Sequence, residues 1–149
     1  MKQPLSLRAR ALNILARQEI SRADLKRKLA PYADNENELD QLLDELAERN
    51  WQSDERFAEA YIHSKSKRHG TLRLKQTLQQ KGIDNETAAS FLPSREQELQ
   101  TAIEVLHKKF KQPAQDMKEM QKQMRFLAYR GFDTDTIRAA MKNDWFEEE

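Results

Sequence analysis

The segments Arg49-Asn50-Trp51, Lys81-Gly82-Ile83 and Arg130-Gly131-Phe132 share one pattern: a cation, then Gly or Asn, then a large apolar residue. Gly and Asn tolerate the left-handed backbone conformation that ends many helices, and the apolar residue after them folds back onto the last turn. The cation lies where the helix dipole is negative. The segments therefore predict three helix ends, with positive φ at Gly82 and Gly131.

The last two segments are 49 residues apart, and the same step recurs elsewhere in the chain. It links two sets of apolar residues: Leu29, Leu78 and Leu127, and Leu12, Tyr61 and Phe110. A fixed period of this length indicates a repeat architecture. We expect the three leucines to occupy equivalent buried positions. Because stacked repeats form an extended surface without a central pocket, the period favours a binding protein over an enzyme.

The composition favours an all-α fold. The 149 residues are 34% charged and 38% hydrophobic, with few glycines and prolines and no strand-like alternation. We predict three tandem three-helix repeats stacked into one domain. The predicted repeats cover about 5–51, 53–93 and 94–144, and an acidic tail follows at 145–149.

Local signals place the ends of several of the nine predicted helices. Ser21, Ser53 and Ser94 are predicted N-caps, because each hydroxyl precedes a run of apolar residues at helical spacing. Ser94 and Gln97 match a capping box, as does Ser21 with the acidic residue three positions later. Gly70 is expected to end the fourth helix.

Residue types that carry catalysis or bind metals are scarce. The chain has no cysteine, and its three histidines have neither metal-ligand spacing nor neighbouring carboxylate clusters. Three glycines cannot build a phosphate-binding loop, and no serine-nucleophile motif is present. We therefore expect no metal site, and the sequence reveals no catalytic site. With neither a signal peptide nor an apolar run of ~20 residues, the sequence is typical of a cytoplasmic protein.

The net charge of +1 conceals alternating blocks. Residues 1–33, 60–83 and 105–130 carry +6, +6 and +5, whereas 34–59, 84–104 and 131–149 carry −8, −4 and −4. Two interpretations stay open: the basic blocks line a face that binds phosphates, or they neutralise the acidic blocks inside the molecule. The candidate contact residues are Arg22, Lys26, Arg27, Lys65, Lys67, Arg68, Arg73, Lys75, Lys108, Lys109, Lys122 and Arg125.

The aromatic residues give no indication that the protein recognises nucleic-acid bases. They are few, and most lie in the apolar stripes of the predicted helices. A platform on which the bases of a single strand stack needs exposed rings. We therefore expect any nucleic-acid contact to involve phosphates.

Several stretches together resemble the RecX family, regulators of the RecA recombinase. The resemblance starts in residues 11–17 and 20–29, and its most specific piece is Asp54-Glu55-Arg56-Phe57-Ala58. It continues through Gly70, Arg73-Leu74, Leu78 and 81–83, and closes at Phe126-Leu127 and 130–132. It covers nearly the whole chain. The chain departs from the pattern at Asn50-Trp51 and in its acidic C-terminal tail.

The resemblance implies a curved, elongated molecule built of three-helix repeats. It implies a monomer with no catalytic residues and no cofactor. This monomer would bind RecA or the RecA–DNA filament and alter its recombinase, ATPase and coprotease activities. Single-stranded or duplex DNA is the implied second partner. The alternative is a free-standing, sequence-nonspecific DNA-binding protein, for which the basic face suffices by itself. An enzyme ranks third.

Overall fold

The computed structural model describes residues 4–142 and confirms the all-α class. That range contains no β-strand. Its nine α-helices are α1 (Leu7–Leu15), α2 (Arg22–Leu29), α3 (Glu36–Glu48), α4 (Asp54–Lys65), α5 (Thr71–Gln80), α6 (Asn85–Ala89), α7 (Arg95–Lys109), α8 (Met117–Tyr129) and α9 (Thr134–Lys142). The three predicted serine N-caps are confirmed, since their hydroxyls accept the backbone N–H of Asp24, Arg56 and Gln97.

The described residues form two compact units. Unit 1 comprises residues 4–61 and 78–89, and unit 2 comprises 62–77 and 90–142, so the division falls within α4 and α5. These units do not follow the predicted repeat boundaries, which stay a prediction. The predicted acidic tail at 145–149 lies outside the described residues.

Unit 1 has its own apolar core. The buried side chains come from α1, α2 and α3 and from the connection before α2, and they are Ala11, Ile20, Leu25, Leu29, Leu39, Leu43 and Leu46. The apolar positions of α3 recur at helical spacing, so one face of this helix packs inward while its acidic face meets solvent.

Unit 2 packs around α7, α8 and α9. Its buried apolar residues are Ala102, Ile103, Leu106, Leu127, Phe132, Ile137 and Ala140. Phe110 and Phe126 lie against this core edge to face, with ring centroids 5.5 Å apart. Such aromatic pairs add stabilisation beyond the area that they bury.

All three predicted helix ends have the left-handed cap. Asn50, Gly82 and Gly131 have φ values of 60°, 80° and 95°. In each case the residue after the cap donates its N–H to the carbonyl five positions earlier, at Leu46, Leu78 and Leu127. That carbonyl would otherwise lack a partner at the helix end. Leu29, Leu78 and Leu127 are fully buried, as predicted.

The first of these segments differs from the other two in place and in packing. Arg49-Asn50-Trp51 ends the third helix of its group, whereas the Gly82 and Gly131 caps end second helices. Trp51 was expected to fold back onto α3, but it stays 41% exposed. Its ring lies beside the guanidinium groups of Arg8 and Arg49, 5.5 and 5.0 Å from the ring centroid.

The prediction for Gly70 was wrong. Helix α4 ends at Lys65, a turn follows, and Gly70 precedes α5. Its φ is not positive. Glycine is required there because the backbone of Gly131 lies where a Cβ would be, with the N atom of Phe132 2.6 Å from that position. Close approach of two backbones, rather than a helix end, accounts for this residue.

Candidate functional site

Unit 2 contains an open groove lined mainly by cations. Its volume is about 420 Å³, and it lies between the turn after α4, the last turns of α7 and the end of α8. The lining residues are Lys67, Arg68, Glu104, Val105, Lys108, Lys109, Phe126 and Arg130, and we call this site the unit 2 groove. Five cations thus share the groove with a single carboxylate. Such a surface attracts a polyanion.

Backbone contacts hold the two cationic segments of the groove together. Gly70 donates its N–H to the carbonyl of Arg130 at 2.8 Å, and Leu72 donates to that of Gly131 at 3.0 Å. The Arg130 side chain donates to the carbonyl of Arg68 at 3.2 Å. The turn after α4 is therefore fixed against the end of α8, and their like charges are held side by side.

The cations of the groove lack internal charge partners. Among the Lys and Arg residues of unit 2 within residues 4–142, Arg95 alone forms an ion pair, with Asp133 at 3.7 Å. The described residues of this unit include fifteen Lys or Arg and seven Asp or Glu. Unit 2 therefore has too few carboxylates of its own to neutralise its cations.

Unit 1 has the opposite charge balance. Its described residues include ten Lys or Arg and fourteen Asp or Glu. Arg22 bonds to Asp44 at 2.6 Å, and Lys26 bonds to Glu36 and Asp40, both at 3.0 Å. Most cations of unit 1 therefore have a carboxylate partner, whereas most cations of unit 2 have none within residues 4–142.

Burial and neighbouring cations beside the groove lower the pKa of His69. The largest cause is partial burial, which disfavours the imidazolium, and four neighbouring cations add to it: Arg73, Arg130, Lys65 and Arg68. Together they lower the pKa of His69 to about 4. The imidazole is therefore neutral at pH 7, where the surrounding Lys and Arg side chains carry the charge.

The structure distributes the twelve predicted contact residues over several environments. Four of them line the unit 2 groove: Lys67, Arg68, Lys108 and Lys109. Lys65 and Arg73 lie close enough to lower the pKa of His69, and Lys75 and Arg125 are exposed. Lys122 lines a separate cavity of about 310 Å³ beside the α7–α8 connection. The remaining three, in α2, are paired: Arg22, Lys26 and Arg27.

Lys26 and Asp24 show the effect of this pairing on ionisation. Hydrogen bonds from Lys26 to Asp40 and Glu36 raise the pKa of the ammonium. Partial burial by itself would raise the pKa of Asp24, but bonds from Arg27 and Lys81 outweigh it and hold the pKa of that carboxyl below its usual value. Each group is therefore charged across the neutral range.

The segment Asp54–Ala58, the most specific part of the resemblance, forms a structural junction in unit 1. Asp54 accepts the N–H of Arg22 at 2.8 Å, at the start of α2. Arg56 donates to the carbonyl of Asn50 at 2.8 Å and pairs with Glu19 at 2.8 Å. Ala58 is fully buried. These side chains connect α2, the α3 cap and α4, so the motif has a structural explanation.

Sequence reasoning missed several residues of the site. Arg130 was interpreted only as the cation of a helix cap, yet its side chain lines the groove. Phe126 belongs to an apolar stripe, and its ring lies 5.1 Å from the Arg130 guanidinium. Glu104 adds the only carboxylate of the groove lining. No local signal could have shown the role of Arg130, because its partner Arg68 lies 62 positions earlier in the sequence.

The described part of the chain offers no sign of a metal centre or a membrane span. Among residues 4–142, no three His, Asp or Glu side chains are grouped so that they can hold an ion. In the same range, no helix combines the length and the apolar character needed to cross a bilayer.

Comparison with known proteins identifies the relatives of this chain. Residues 53–92 match the sequence model of the second three-helix domain of RecX, and residues 96–141 match that of the third. The regulatory protein RecX of Neisseria meningitidis serogroup C is 65% identical over 147 residues, covering 99% of this chain and 96% of the relative. The RecX of Chromobacterium violaceum is 44% identical, covering 96% of each.

Solved structures agree on the fold. A crystal structure of RecX from Lactobacillus salivarius superposes with a TM-score of 0.78 at 22% identity, covering 91% of this chain and 92% of that one. A second RecX crystal structure gives a TM-score of 0.82 at 20% identity, covering 92% of this chain and 72% of that one.

Proposed function

This chain belongs to the RecX family of regulatory proteins, and we propose that it regulates the RecA recombinase by binding the RecA–DNA filament. The proposed effects are on ATP hydrolysis, strand exchange and coprotease activity, in the cytoplasm, by a monomer that performs no catalysis itself. The observation that carries the proposal is the unit 2 groove, whose unpaired cations suit a phosphate backbone.

The electrostatics of the groove explain how such binding gains free energy. Lys67, Arg68, Lys108 and Lys109 pair with no carboxylate within residues 4–142, so they give up no ion pair when a phosphate arrives. Each phosphate that is neutralised releases condensed counterions, which favours binding at low salt. By contrast, the cations of α2 would first have to leave Asp44, Glu36 and Asp40. We therefore assign the phosphate contact within the filament to the unit 2 groove and not to the paired cations of α2.

The test is the DNA-dependent ATPase of RecA, measured with increasing amounts of this protein. We expect the rate to change at saturation, whereas the isolated protein hydrolyses no ATP. The triple variant Arg68→Gln, Lys108→Gln, Lys109→Gln should lose most of the effect. The matched control Arg22→Gln, Lys26→Gln, Arg27→Gln removes the same charge and should keep it. An unchanged ATPase together with unchanged strand exchange at saturating protein would refute the proposal.

A second candidate function is DNA binding without RecA. Unit 2 has fifteen cations against seven carboxylates among its described residues. This excess of positive charge favours the second function, because such a surface binds any polyanion. Affinities for bare single-stranded DNA and for the filament, compared at matched salt, separate the two. Equal affinities would favour the free-standing DNA-binding protein.

A further inference from the structure

The unpaired cations of unit 1 all line one groove. Seven of the ten described Lys and Arg residues of this unit form ion pairs: Arg8, Arg22, Lys26, Arg27, Arg49, Arg56 and Lys81. The three that pair with no carboxylate in residues 4–142 are Arg10, Arg17 and Lys28. All three line a single open groove of about 430 Å³. The cations of this unit that have no ion pair are therefore gathered at one groove instead of being spread over the surface.

The groove joins these cations to an exposed aromatic ring. Helix α1 and the turn after it carry Arg10, Ile14 and Arg17 at spacings of four and three residues, which place them on one face. Opposite them, the 3₁₀ turn that follows α2 carries Tyr32, which is 56% exposed. The Arg10 guanidinium lies 3.8 Å from the centroid of the Tyr32 ring. We call this site the Tyr32 groove.

The sequence predicted no base-stacking platform, but the structure leaves three aromatic rings exposed. Each of three exposed aromatic residues lies beside an arginine, namely Tyr32 with Arg10, Trp51 with Arg8 and Arg49, and Tyr129 with Arg73. Tyr32 lines a groove together with the unpaired cations Arg17 and Lys28. Apolar contact is also available there, from Leu5 and Ile14.

The combination selects among anionic ligands. Free phosphate or an acidic peptide would engage the cations but would leave the ring face unused. In a duplex the bases are already stacked on one another and cannot reach a ring. A single strand offers both groups, because unstacked bases pack on aromatic rings and guanidinium planes while the phosphates meet cations.

We propose that the Tyr32 groove binds single-stranded nucleic acid, with one base stacked on Tyr32 and the phosphates contacting Arg10, Arg17 and Lys28. This site lies outside the unit 2 groove and needs no RecA. It would give the protein a preference for single strands that a phosphate contact alone does not supply.

The test measures binding of the full chain, without RecA, to a fluorescein-labelled oligothymidylate and to a duplex of the same length. Tyr32→Ala should weaken single-strand binding by about 5- to 140-fold, the equivalent of about 1–3 kcal/mol for one stacked base at 1.4 kcal/mol per factor of ten. Tyr32→Phe keeps the ring and should bind like wild type. Duplex binding should be unchanged by either substitution.

Charge variants complete the test. The triple variant Arg10→Gln, Arg17→Gln, Lys28→Gln lacks the three cations of the groove. Its slope of log affinity against log salt should be smaller by about 0.7 for each single-strand phosphate that no longer contacts a cation. The control Arg22→Gln, Lys26→Gln, Arg27→Gln should leave the slope unchanged. Wild-type single-strand affinity in Tyr32→Ala would overturn the proposal. A second result would also overturn it. In that result the charge variant binds oligothymidylate, duplex and polyglutamate equally less well, and Tyr32→Ala has no effect. Because RecA is absent, failure here leaves the proposed regulation of RecA to its own test.

Discussion

Gly70 and Gly131 are in direct backbone contact in unit 2, and this contact joins the turn after α4 to the end of α8. Leu72 donates its N–H to the Gly131 carbonyl, and a Cβ on Gly70 would overlap that carbonyl. The contact explains how a chain with few glycines brings two cationic segments together. It also fixes the side of the unit 2 groove that Arg68 and Arg130 form.

Substitution of Gly70 by alanine should destabilise the protein. The added methyl group has no space, because the neighbouring atoms belong to the backbone of Gly131 and Phe132 and cannot rotate away. We expect a loss of about 1–3 kcal/mol in the free energy of unfolding, measured by urea denaturation. The control Gln76→Ala changes an exposed position of α5 and should stay within about 0.5 kcal/mol. Wild-type stability in Gly70→Ala would contradict the backbone contact.

Truncation of the three leucines of the 49-residue period should be costly at each position. Leu29, Leu78 and Leu127 are fully buried, so replacement by alanine leaves a cavity as well as removing apolar contact. The expected loss is about 2–5 kcal/mol in unfolding free energy for each variant. Leu72→Ala is the matched control, since Leu72 is on the same helix as Leu78 but 55% exposed. A loss in Leu72→Ala as large as that in Leu78→Ala would argue against this packing.

Glu98 should stabilise unit 2 through the start of α5. Its side chain is buried in α7, and its carboxylate accepts the N–H of Thr71 at 2.6 Å. Glu98→Ala removes the acceptor, and we expect a loss of about 1–3 kcal/mol in thermal or urea unfolding. Glu98→Gln retains an acceptor oxygen and should lose less. If both variants unfold like wild type, this hydrogen bond contributes nothing to stability.

His69 should make stability depend on pH below neutrality. Its pKa is lowered to about 4 in the folded protein, against 6.5 when unfolded, so the unfolded state binds more protons between these values. The free energy of unfolding should therefore fall as the pH drops from about 6.5 to about 4. Asp24, Asp84 and Asp133 also have lowered pKa values, but most of their stabilisation is lost at lower pH, as the pH falls through their usual value of 3.8.

The control for this pH dependence is a second histidine. His69→Gln should flatten the stability profile between pH 4 and 6.5, whereas His63→Gln, at an exposed position of α4, should leave it as it is. A proton NMR titration gives the direct reading. An imidazole of His69 that titrates near 6.5 in the folded protein would contradict the electrostatic environment described above.

The local features of this fold could be predicted, because each depends on a few adjacent residues. The left-handed caps at Gly82 and Gly131 follow from the absence of a Cβ, and the Ser94 capping box follows from a hydroxyl three residues before an amide. Gly70 was misplaced because its role depends on Gly131, which is distant in sequence. No local pattern distinguishes a glycine that ends a helix from one that admits another backbone.

The candidate site was harder to predict for the same reason. The basic blocks were visible, but the paired cations of α2 and the unpaired ones of α7 look alike in sequence. Only folding decides which of them meet the carboxylates of α3. Tyr32 was overlooked because it follows Pro31 in a 3₁₀ turn. Outside an α-helix, the helical period does not show on which side a ring lies.

The most direct test of the central claim is the salt dependence of binding to RecA filaments assembled on labelled single-stranded DNA. If the unit 2 groove binds phosphates, the triple variant Arg68→Gln, Lys108→Gln, Lys109→Gln should depend less on salt. The slope of log affinity against log salt should become smaller in magnitude by about 0.7 for each lost phosphate contact, or roughly 2 for all three. The control Arg22→Gln, Lys26→Gln, Arg27→Gln should keep the wild-type slope. A wild-type slope in the groove variant would contradict the claim and leave protein contact as the explanation for its cations.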